Sequence, residues 1–122
     1  MKEEYVSFVL AKKLKEKGFD MQSVDVHGKF DTDGLFHSQL YVNYAEVMGD
    51  EVIAPSIAQV LKWLIKEKHL FVEINLLLGG WSYVVKEIIP LQGYDLKIGI
   101  RYENSYEEAA LAGIEYVIDN LI

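Results

Sequence analysis

The apolar positions of this chain follow two rhythms, helical and alternating, and the changes between them predict the elements. From Glu3 to Lys17 the residues Tyr5, Phe8 and Val9 recur at helical spacing, as do Val6, Leu10 and Leu14, so a helix opens the fold. Glu3 and Glu4 fall near its positive end, and Lys12, Lys13, Lys15 and Lys17 near its negative end. Gly18 stops the helix, and Phe19 is placed to fold back on the last turn in a Schellman-type ending. The sequence SVDVHGKF, Ser23 to Phe30, then alternates, with Val24, Val26 and Phe30 set against Asp25, His27 and Lys29. DTDG, Asp31 to Gly34, is turn chemistry, and LYVNYAEV, Leu40 to Val47, is the return strand.

The second helix is marked by its cap. Ser56 follows Pro55, and Gln59 stands at the capping-box spacing from it. Ile57, Val60, Leu61, Leu64 and Ile65 form its apolar stripe, with Trp63 on the flank and Lys62, Lys66 and Lys68 off it. After Lys68 the period becomes alternating, which predicts a strand from Leu70 to Leu77 with almost no linker. Gly79 and Gly80 are the expected hairpin turn, leading to a partner strand from Trp81 to Ile89. After the PLQG turn, Tyr94, Leu96, Ile98, Ile100 and Tyr102 alternate with Asp95, Lys97, Gly99 and Arg101. Such a strand is expected to bury its first set and wet its second.

Ser105 caps the closing helix, with Glu108 at the capping-box position. Its apolar residues are Ala109, Ala110, Gly113, Ile114, Val117, Ile118 and Leu121. Gly113 inside a helix costs about 1 kcal/mol relative to Ala, so it implies close approach to the sheet or to another helix. The predicted order is α-β-β-α-β-β-β-α. That is one α+β domain over residues 1–122, with a mostly antiparallel sheet of about five strands and three helices.

Composition changes this picture mainly by exclusion. The 122 residues carry no cysteine, which removes disulfide scaffolds, thiolate metal sites and cysteine nucleophiles. Lys and Arg total 12 against 19 Asp and Glu, a net charge of −7, which argues against direct nucleic-acid binding. The apolar run Tyr5–Ala11 is broken by Ser7 and gives no signal peptide. No stretch has the length of a membrane span, so a cytoplasmic protein is expected.

Candidate chemistry is sparse. His27, His37 and His69 show no i, i+4 pair of the kind that holds a metal on a helix. Asp31 and Asp33 before Gly34 lack the further ligands of a calcium loop. The serines lack a nucleophile-elbow context, and Gly79–Gly80 opens no helix that could cradle phosphate. No residue is assigned a catalytic, cofactor-binding or metal-ligating role. Phe71, Trp81 and Tyr83 are read as sharing the less apolar sheet face with Glu73, Asn75 and Glu87. With Trp63 they form the candidate interface, for a protein partner or a homodimer.

Three stretches, YVSFVLAKKLKEKGFD, IAPSIAQVLKWLIKEKHLFVEI and YENSYEEAALAGIEYVIDNLI, resemble a group of small, uncharacterised bacterial proteins. That group is associated with phages, prophages and mobile elements of gut anaerobes. The last stretch is also similar to the closing helix of small phage α/β sandwich domains. The resemblance implies a setting and carries no site residues. The leading expectation is therefore a non-enzymatic binding or accessory protein of phage or mobile-element origin. One alternative is a small hydrolase or metal-dependent enzyme near Asp31–Gly34 and the histidines. Another is an acidic DNA mimic gathering Asp50, Glu51, Glu103, Glu107, Glu108, Glu115 and Asp119 on one side.

Overall fold

The computed structural model describes residues 5–19, 28–31, 33–38 and 52–122. The expected strand at 40–47, the start of the strand before Gly28, His27, Glu3, Glu4, Asp50 and Glu51 lie outside the described residues. The chain divides into two compact units, 1–59 and 60–122.

In the first unit, α1 runs from Phe8 to Glu16. It starts later than the sequence pattern suggested because the Ser7 hydroxyl accepts from the Leu10 N–H at 3.2 Å and caps the helix there. Its other end is as expected. Gly18 adopts φ +88°, the Phe19 N–H donates to the Leu14 carbonyl, and the Gly18 N–H donates to the Lys15 carbonyl. Those two bonds are the Schellman pair, and Phe19 is buried with Leu10 and Leu14. β1 (Gly28–Phe30) pairs antiparallel with β2 (Phe36–Ser38) and with β3 (Val52–Ile53), giving the order β2-β1-β3. Four rings run in sequence through this unit, each within 5.6 Å of the next: Tyr5, Phe36, Phe30 and Phe8.

α2 spans Ile57–Lys68 and is capped as its sequence states. The Ser56 N–H donates to Gln59 Oε1 at 2.9 Å, and the Gln59 N–H donates to Ser56 Oγ at 3.2 Å. In the second unit, His69 alone joins α2 to β4 (Leu70–Leu77), at φ +57°. β5 (Gly80–Ile89) and β6 (Gly93–Glu103) complete an antiparallel sheet in the order β4-β5-β6. The first hairpin closes on Leu77 and Gly80, so its two loop residues are Leu78 and Gly79, one position earlier than expected. Gly79 supplies the positive φ, +98°.

α3 (Tyr106–Asn120) lies across one face of this sheet. Ser105 Oγ accepts from the Glu108 N–H at 3.1 Å, while Glu108 Oε2 accepts from the Asn104 N–H at 3.2 Å. Gly113 is the point of closest approach. A Cβ there would fall well inside van der Waals contact with Val72 Cγ1 and 3.2 Å from Tyr83 Cδ2. Val72, Tyr83, Val85, Ala110, Ile114 and Val117 are buried in this layer. The α+β class, the three helices and the antiparallel pairing agree with the sequence reading. The described strands, however, form two three-stranded sheets, because β1 pairs only with the short β2 and β3.

Candidate interface on the open face of the second sheet

Register decides which side chains of β4, β5 and β6 share a face. Val72 lies opposite Val85, Ile74 opposite Tyr83, and Leu76 opposite Trp81; this is the face that α3 covers. Tyr83 is only 7% exposed, and the Trp81 ring meets Tyr106 of α3 edge-on at 5.7 Å. Phe71 lies opposite Lys86, one residue out of phase, and so belongs to the other face. The expected sharing of one face by Phe71, Trp81 and Tyr83 is therefore corrected. Trp81 and Tyr83 serve the packing of α3, and Phe71 alone of the three lies on the open side. Trp63 is half-buried on α2, with the Lys68 ammonium 5.5 Å from its ring centre.

The open face has a centre that the sequence reading missed. Lys86 on β5 has Phe71 beside it on β4 and Leu96 beside it on β6. The next pair on the same side is Ile88 with Tyr94. Lys86 Nζ pairs with Glu73 Oε2 and sits 4.3 Å from the Tyr94 ring centre. The hydrogen bond to Glu73 is the main reason its ammonium is held above the ordinary lysine range. The cation is thus engaged within the face, and large apolar groups surround it. Tyr94 is 60% exposed and Leu96 54%, with Phe71 also exposed. At the other end of the face Ser82 is buried, and its hydroxyl donates to the Asn75 carbonyl at 3.4 Å.

Tyr94 and Leu96 were expected to point inward. They do not, because Leu96 pairs with Lys86 and Tyr94 with Ile88, on the side away from α3; β6 also slips twice against β5, between the Tyr83 and Val85 pairs and between the Val85 and Lys86 pairs. Each slip breaks the two-residue alternation, so one uninterrupted face cannot run from Tyr94 to Tyr102. Gly99, an isolated glycine between the Ile98 and Arg101 pairs, is a local signal for the first slip, which the sequence reading did not use. On the edge of β6, Lys97 Nζ bridges Asp95 Oδ2 at 3.0 Å and Glu87 Oε2 at 3.2 Å. Asp95 and then Glu87 raise its pKa above the ordinary value.

Of the residues of the enzyme alternative, the structure pairs Asp31 with His37. In the first unit, Asp31 Oδ1 accepts from the Asp33 and Leu35 N–H groups at 2.9 and 3.0 Å. The His37 Nε2–H donates to Asp31 Oδ2 at 2.8 Å. That bond, followed by the Leu35 N–H, holds the Asp31 carboxyl below its usual range. A carboxylate gripping one imidazole nitrogen can orient a general base. Here His37 is exposed and Asp31 half-buried, and the carboxylate closes the turn that the Asp31–Gly34 sequence announced. His69 belongs to the second unit, at the α2–β4 junction. Among the described residues no group of three His, Asp or Glu side chains could hold a metal ion. Of the acidic set, Glu108 is tied into the α3 cap, and Glu115 and Asp119 are exposed further along that helix. No helix among the described residues is long and apolar enough to cross a membrane.

Comparison with known proteins adds no relative. No family model, no curated protein and no solved structure matches the chain.

Proposed function

We propose that this chain is a non-enzymatic binding protein that contacts another protein through the Phe71–Lys86–Leu96–Tyr94 face of its second unit. The observation that carries the proposal is the engaged cation. With Lys86 neutralised by Glu73 and stacked on Tyr94, the exposed apolar groups surround a centre that needs little further desolvation. Cores of protein interfaces are depleted of free charge and enriched in aromatic residues, and this face fits that composition. The net charge of −7 supports a protein partner over a nucleic acid. A mobile-element setting rests on the likeness of the three stretches described above, and on nothing else.

The test is comparative capture. The native protein and a Phe71→Ser/Leu96→Ser variant are immobilised and exposed to the same cell extract. Both substitutions fall at exposed positions, so the variant should keep the native circular dichroism spectrum. A partner held by the native protein and lost from the variant is expected. Identical capture by the two proteins removes this face from the function. Hydrolytic activity abolished by His37→Ala would move the assignment to the enzyme alternative.

A further inference from the structure

Among the described residues, β6 has β5 on one side and no strand on the other, so its outer N–H and C=O groups form a sheet edge. Long edge strands carrying large apolar side chains are templates for strand addition. The stretch Tyr94–Asp95–Leu96–Lys97 is self-complementary when it meets its own copy antiparallel. With Leu96 on the two-fold axis, Asp95 of one copy lies directly opposite Lys97 of the other, and the reverse pair forms by symmetry. Opposite charges directly across an antiparallel pair are favourable. The open face also becomes continuous, in the order Phe71, Lys86, Leu96, then Leu96, Lys86 and Phe71 of the second copy. β4, the other edge, has no such match. Its single charged residue, Glu73, would meet Asn75 in a pairing about Ile74, whereas Asp95 and Lys97, which pair with each other within one chain, can re-pair across the axis.

We infer that the occupant of this face and edge is a second copy of the chain, joined by antiparallel β6–β6 pairing centred on Leu96. This rests on the proposed contact role of the face and names its partner. The register slip beside Lys97 shortens the shared ladder, so the association is weak and depends on concentration.

Sedimentation velocity over roughly a hundredfold range of concentration should show reversible growth of a dimer. Asp95→Lys and Lys97→Asp each place like charges across the axis, and each should weaken the dimer on the order of tenfold. An equimolar mixture of those two variants should associate as a heterodimer, because every cross-axis pair is again opposite in sign. In the native protein, amide exchange at Tyr94 to Lys97 should slow as concentration rises. A monomer at every concentration overturns the inference, as does a dimer indifferent to both charge reversals. Amides protected equally at all dilutions would mean that the edge is covered within one chain, and would overturn it too. A monomer that still captures a foreign partner through Phe71 and Leu96 would remove the second copy and leave the contact role standing.

Discussion

Replacing Gly113 with Ala sets helix propensity against packing, and the geometry decides which prevails. In an open helix the change would stabilise by about 1 kcal/mol, since Gly is the poorer helix former. Here the added methyl falls inside the contact distance of Val72 Cγ1 and lies 3.2 Å from Tyr83 Cδ2, where ordinary carbon contacts begin at roughly 3.5 Å. Val72 is β-branched, 4% exposed and held in β4 opposite Val85, so it has few ways to yield. Overpacking of this kind costs about 1–3 kcal/mol, and with two neighbours struck the upper part of that range applies. The net expectation is a loss of about 1–2 kcal/mol, read as a urea midpoint lower by roughly 0.5–1 M at unchanged slope. In a Val72→Ala background Cγ1 is gone, and the same Gly113→Ala change should become neutral or stabilising by up to about 1 kcal/mol. A higher midpoint for Gly113→Ala in the native background would refute the reasoning. Equal effects in both backgrounds would also refute it, because the clash is assigned to Val72.

Ser56→Ala removes the acceptor for the Gln59 N–H in a buried cap and should cost about 1 kcal/mol of stability by urea denaturation. Leu91 sits at φ +65° in the turn closed by the Gln92 N–H on the Ile89 carbonyl, and it is fully exposed. Leu91→Gly should therefore stabilise by about 0.5 kcal/mol, the relief of left-handed strain less the added freedom of the unfolded chain, with a destabilised variant speaking against that turn. The Asp31 carboxyl is held below its usual range when folded, so its contribution is present above the unfolded carboxyl pKa and is lost as acid takes the pH down through the folded value. His37→Ala should move the Asp31 titration upward in a carboxyl-detected NMR experiment, and no movement would mean that His37 is not its main partner.

The sequence determined the features whose causes are local. Ser56 with Gln59, Ser105 with Glu108, and Gly18 with Phe19 each bring both hydrogen-bonding partners within a few residues, so spacing alone specified the caps. Asp31 could likewise be read as a turn residue, since it bonds the backbone two and four positions on. Gly113 announced a close approach, although only the fold could say that Val72 and Tyr83 lie beneath it. At the start of α1 the apolar spacing from Glu3 onward was read as helix, whereas the Ser7 hydroxyl caps a helix that begins at Phe8. The faces of the second sheet were decided by tertiary structure. Side chains alternate every residue along a strand, so the placement of Phe71, Tyr83 and Leu96 depends on the pairing of distant strands. Pairing with Lys86 and Ile88 on β5 is what set Leu96 and Tyr94 outward. Lys86 took its role in the same way, because Glu73, Tyr94, Phe71 and Leu96 reach it only across β4 and β6. A cap is a short-range hydrogen-bond pattern written in consecutive residues, whereas a sheet face is fixed by contacts between strands that the local sequence does not encode.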